Sequence, residues 1–141
     1  MKIFFILIFF LFAMNTNAQS DIDDGSGALI KLVCKYTDPQ YPSFKVVIER
    51  ESGRAMFGIL HAKAILKKKK PIEFVKDKKT GKVKQKSSLF TKKERVYDLS
   101  GRGSDFIFST SINMKNGKLL HWVTDNTGSE HGKPGSCKRY N

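Results

Sequence analysis

The stretch that most limits what this chain can become is DFIFSTSINMKNGKLLHWVTDN, Asp105 to Asn126. Phe106, Phe108, Thr110, Ile112 and Met114 alternate with Ile107, Ser109, Ser111 and Asn113. A period of two puts the apolar residues on one face and most polar ones on the other, as in a half-buried antiparallel strand. Asn116-Gly117 supplies a turn, and Leu119 to Thr124 runs back carrying Trp122, the only tryptophan. Two registers fit. A two-residue type I′ loop sets Lys115 against Lys118 and Ile112 against His121. A type I turn closed by a left-handed glycine sets Met114 against Lys118, Ile112 against Leu120 and Thr110 against Trp122. The second is preferred. It gathers Trp122 with Phe106 and Phe108 on the core face and leaves His121 outside with Ser109, Ser111 and Asn113.

The chain opens with Met1-Lys2, an apolar run from Ile3 to Met14, and the small or polar residues Asn15 to Ala18. This is the pattern of a secretory signal peptide over 1–18, cleaved after Ala18. The run is too short to span a bilayer, which takes about 20 residues. Residues 19–27 (QSDIDDGSG) form a flexible acidic lead-in without the spacing of a calcium loop. Residues 28–141 make one β-rich domain, secreted or periplasmic and monomeric. Its two cysteines, Cys34 and Cys137, are expected to form a disulfide in an oxidising compartment. Their spacing, with no histidine nearby at ligand distance, does not spell a zinc site.

Further strands are expected at Ala28 to Tyr36, Ser43 to Glu49, Ile72 to Lys76, Val83 to Lys86 and Lys93 to Leu99. Arg54 to Leu66 reads as a single strand weakened by Gly58, with a helix as the competing reading. Asp77 to Lys82 is a turn with Gly81 at positive φ. Ser100 to Ser104 is a tight connection. Beyond Asn126 the glycines and Pro134 predict an irregular loop ending at Cys137. The fold class is all-β: a small antiparallel barrel or sandwich of about 7–8 short strands, closed by one disulfide.

The formal net charge is +13, lysine supplies most of it, and arginine is scarce. Lys63 to Arg95 holds fourteen lysines and arginines against Glu73, Asp77 and Glu94. The expected function is a non-enzymatic exported domain whose lysine-rich hairpin binds anionic surfaces or polyanions. The residues assigned to that contact are Lys68, Lys69, Lys70, Lys78, Lys79, Lys82, Lys84 and Lys86. Such a surface would release counterions and bind with a steep salt dependence. Lysine, a hydrated point charge, favours diffuse attraction over the bidentate reading that arginine provides. Phe74, Phe90 and Tyr97 interleave with these lysines, a spacing that suits core positions in strands better than base stacking. The partner is an anionic envelope component or other polyanion. The alternative is a protein-binding or inhibitory module acting on a secreted partner with an acidic face.

No catalytic, metal or cofactor motif stands out. GxSxG, HExxH and a phosphate loop are absent. His61, His121 and His131 sit in no recognisable constellation and read as surface residues; His121 has Asp98 or Ser111 as a conceivable partner. In layout the chain resembles small periplasmic or secreted proteins, including the lysozyme-inhibitor type of small β-barrel. The resemblance is one of architecture only and carries no residue assignments. An inhibitor of a basic lysozyme would also be acidic for complementarity, whereas this chain is basic.

Overall fold

In the computed structural model the described residues are 22, 25, 27–70, 72–87 and 92–140. The leader read at 1–18, most of the lead-in, and Phe90 lie outside them. Their regular structure is ten strands: β1 (Leu29–Tyr36), β2 (Phe44–Glu49), β3 (Arg54–Phe57), β4 (Leu60–Lys69), β5 (Ile72–Lys76), β6 (Val83–Ser87), β7 (Glu94–Arg102), β8 (Phe106–Asn113), β9 (Lys118–Asp125) and β10 (Glu130–Arg139). Eight of them close an antiparallel barrel in the order β1-β10-β9-β8-β7-β4-β3-β2. Sequence neighbours pair around the barrel except at two places: β4 pairs directly with β7, and the first strand pairs with the last. The remaining two strands form a separate hairpin, β5-β6, inserted between them.

The interior follows from alternation. Ile30, Leu32 and Cys34 of β1 point inward, as do Val46 and Ile48 of β2 and Phe108, Thr110 and Ile112 of β8, all buried. An eight-stranded barrel is just wide enough for such side chains to fill. The seam lies between the first strand and the last. Cys34 stands directly opposite Cys137 in the β1-β10 register, and the two form a disulfide. The Cys137 N–H donates away from this pair, to the Gly117 carbonyl at 2.7 Å. The cysteines therefore occupy a non-hydrogen-bonded position, where antiparallel strands come closest; their Cα atoms are 4.1 Å apart. A disulfide is consistent with a periplasmic or extracellular location. Among the described residues no helix is long and apolar enough to cross a membrane.

Four expectations are corrected. The β8-β9 register pairs Ile112 with Leu119 and Thr110 with His121, one step beyond the preferred alternative. Four residues, Met114 to Gly117, close this turn; Gly117 N–H donates to the Asn113 carbonyl, and Met114 is buried. The slip turns His121 inward and Trp122 outward. Second, Arg54 to Leu66 is two strands. Phe57 pairs with Leu60 around Gly58-Ile59, and Gly58 has φ of 59°. A glycine at the first position of a two-residue turn is the II′ signature, so the apparent defect is the turn. Third, β7 continues through Ser100, Gly101 and Arg102, which the sequence reading made a connection. Fourth, the predicted C-terminal loop is β10. Pro134 sits where β1 has just ended, at Tyr36↔Gly135, and its carbonyl accepts from Thr37 N–H on that side. Its missing N–H thus costs β10 no bond to β9.

Removing the Cys34–Cys137 bond frees a loop with a sequence separation of 103. The Cys34→Ala/Cys137→Ala variant is expected to unfold at lower urea, with stability reduced by about 2–5 kcal/mol. An unchanged midpoint would show that strand pairing alone holds the seam. Gly117 has φ of 74°, and a Cβ there would meet the Cys137 carbonyl oxygen at 2.2 Å. Gly117→Ala should cost roughly 2 kcal/mol or more in the same assay, from left-handed strain plus backbone collision.

Candidate functional site

The eight assigned lysines do not form one uniform surface. β4 carries the Lys67-Lys68-Lys69 run in extended conformation, so alternate side chains face opposite ways. Lys69 reaches the outer wall, where its ammonium donates to Asp98 Oδ1 at 2.6 Å and to Ser111 Oγ at 3.3 Å. Ser111 also donates to the same Asp98 oxygen at 2.8 Å, and Lys67 lies 3.6 Å from Oδ2. Lys69 is therefore neutralised within the barrel wall. Lys68 falls on the other face of β4, and Lys70 is exposed at its end.

The β5-β6 hairpin holds the rest. Its register, Phe74↔Gln85 and Val75↔Lys84, gives it two faces. Phe74 packs on Trp122 with ring centroids 5.5 Å apart. Trp122 itself pairs with Gly132, where a Cβ would stand 2.7 Å from the indole and 3.0 Å from Phe74. The bare backbone of Gly132 thus lets both rings lie against β10. Lys84 and Lys86 alternate with Gln85 and share the opposite, solvent face of β6. Lys78, Lys79 and Lys82 are exposed in the turn, which is fixed by Asp77 Oδ1 accepting from Lys79 N–H and by Gly81 at φ 69°. Among the described residues, no carboxylate lies within ion-pair distance of these five lysines. Of the aromatic residues interleaved with them, Tyr97 is buried in the core and Phe74 is occupied by Trp122.

Two clefts flank the hairpin. The larger, about 1010 Å³, lies where the hairpin tip, the β1-β2 loop and the β9-β10 turn meet. Tyr36, Tyr41, Lys82, Glu130, His131 and Lys133 are on its walls. Its charges are mixed, and the Lys133 ammonium already sits 3.6 Å from the centre of the Tyr41 ring. The smaller cleft, about 470 Å³, adjoins Phe74 and the β8-β9-β10 wall.

Sequence reading missed the interior of the barrel at its aromatic end. His121 is 7% exposed, shares a 2.7 Å hydrogen bond with Thr110 Oγ1, and stacks on Phe57 at 4.8 Å. It faces away from Asp98 and Ser111, the partners considered for it. Burial, aided by the nearby Lys133 charge, lowers its pKa to about 4, so the ring is neutral near pH 7. Burial also raises the Tyr36 hydroxyl to about 12, with Tyr41 adding to the shift. His131 Nε2 is 3.9 Å from Asp125 Oδ2, beyond hydrogen-bond reach. The Asp125 carboxylate is held below its ordinary range chiefly by the Thr127 hydroxyl. Among the described residues no cluster of histidine, cysteine and carboxylate groups could hold a metal ion. No protein-family model, curated protein or solved structure matches the chain.

The depressed His121 pKa has a stability consequence. The unfolded state takes up a proton near pH 6.5, whereas the folded state resists doing so until about 4. Stability from this group is complete above 6.5 and is lost as pH falls towards 4. Between pH 7 and 5 the protein should lose roughly 2 kcal/mol that His121→Gln does not lose, read from urea unfolding at both pH values. Parallel pH profiles for the two proteins would contradict the buried neutral ring.

Proposed function

We propose that the protein is an exported, non-enzymatic binding domain whose β5-β6 hairpin engages anionic polymers or surfaces. The observation that carries this reading is the division of labour among the lysines. Lys69 is consumed by Asp98, while Lys78, Lys79, Lys82, Lys84 and Lys86 stay exposed on the turn and on β6. The barrel anchors this surface through Phe74 and Trp122. An array of mobile ammonium groups on a fixed support favours phosphate-, sulfate- or carboxylate-rich ligands through counterion release, with little demand on ligand geometry. The export reading at residues 1–18 places such a domain where envelope polyanions are met.

The test is binding of the oxidised protein from Gln19 onward to lipopolysaccharide, a sulfated glycan and single-stranded DNA across a salt series. Lys79→Glu/Lys84→Glu/Lys86→Glu is compared with Lys31→Glu/Lys35→Glu/Lys63→Glu, which carries the same charge change at exposed barrel positions. On DNA the hairpin variant should flatten the log–log salt slope by roughly 2, at about 0.7 for each lost phosphate contact. If the barrel variant lowers binding equally, attraction is generic and the hairpin is no site. If neither binds polyanions nor does the parent at physiological salt, an acidic protein partner becomes the reading to pursue.

A further inference from the structure

The smaller cleft differs from the larger one in its chemistry. Among the described residues three lysines line it, Lys69, Lys70 and Lys118, and no acidic residue does. Its apolar lining includes Phe74 from the hairpin, Val96 from β7, Leu120 from β9 and Pro134 from β10. Ser111 and Asn113 also border it, but their polar groups are spent internally. Ser111 donates to Asp98, and the Asn113 side chain donates through Nδ2 to Glu94 while its Oδ1 accepts from the Lys115 and Asn116 N–H groups. The nearby carboxylates are thereby occupied. What remains for a ligand is an apolar floor with exposed ammonium groups, Lys70 and Lys118, on its rim. Val96 belongs to the outer wall yet is only 3% exposed, so the wall beneath the hairpin is already partly dry.

We propose that this cleft is a binding site for an anionic amphiphile: a single acyl or similar apolar chain bearing a phosphate or carboxylate. The chain would lie along Phe74, Leu120 and Pro134, and the anion would be held by Lys70 and Lys118. The volume is in the range of ordinary small-molecule sites, about 300–1,000 Å³. Such sites combine a mostly apolar lining with a few polar groups that fix orientation, which is the distribution here. The inference rests on the preference for anions argued above but uses a different face of the hairpin, so each can fail alone. Phe74 joins the cleft to Trp122, so the only tryptophan is a built-in reporter of occupancy.

The experiment titrates the oxidised protein with lysophosphatidate below its micelle-forming concentration and follows Trp122 fluorescence. Saturable binding is expected, with glycerol 3-phosphate and a neutral monoacylglycerol of the same chain length each at least tenfold weaker. Lys70→Glu/Lys118→Glu should weaken lysophosphatidate at least tenfold, because each lost charge-assisted contact is worth that much. Lys79→Glu/Lys84→Glu/Lys86→Glu should leave it unchanged while losing polyanion binding. A repeat with the acid presented in phosphatidate vesicles shows whether the source is a membrane or the free amphiphile. No saturable signal, equal affinity for the chainless phosphate, or indifference to the Lys70/Lys118 reversal would each overturn the proposal. Polyanion binding that persists in those cases would leave the hairpin reading standing.

Discussion

Pairing of the first strand with the last is the constraint on which the rest depends. Every other neighbour in the barrel is joined by a short connection, apart from β4 and β7 with the β5-β6 hairpin between them, and only β1 and β10 must find each other across nearly the whole domain. Once they meet, the sheet has no edge, and inward residues from all eight strands enclose one core. The Cys34–Cys137 bond lies inside that seam, among the core residues, so the covalent link and the hydrophobic core reinforce the same contact. Gly117 brings the β8-β9 turn into the same region through its hydrogen bond with Cys137. A small domain, with modest burial to draw on, concentrates its stabilisation where closure is entropically hardest.

Much of this was legible in the chain. Alternation at Phe106 to Met114 and at Phe44 to Ile48 placed strands and faces, and two cysteines behind an apolar leader pattern implied their bond. What was not legible turns on single residues. Gly58 and Pro134 read as breakers, yet Gly58 supplies a turn, and Pro134 stands just past the end of a neighbouring strand. Local propensity cannot see where a partner strand stops. The hairpin register failed for a related reason: Asn116-Gly117 fits loops of several lengths, and the tertiary bonds of Met114 and Gly117 select the four-residue one. That one step exchanged His121 and Trp122 between core and wall.

The lysine surface shows the same limit in charge rather than in shape. A run of four lysines at Lys67 to Lys70 looks uniform as text. In a strand it divides by parity, and Asp98, distant in sequence, captures Lys69 through a pairing between β4 and β7. Composition therefore identified the basic segment but not its division into neutralised and available charge. The outer wall beneath the hairpin was equally hidden, because its apolar residues come one or two at a time from β7, β9 and β10.

Because β4 and β7 are already ladder partners, everything between them is, to the barrel, a long connector. Closing such a connector becomes costlier only slowly with its length, by about 0.6 kcal/mol per doubling. Beyond the Phe74–Trp122 contact, the lysine hairpin can therefore be shortened or lengthened with little effect on barrel closure. Change in the hairpin and demands of foldability fall on separable parts of the chain. In that sense the barrel is a chassis, and the hairpin cassette is free to diverge faster than the strands on either side.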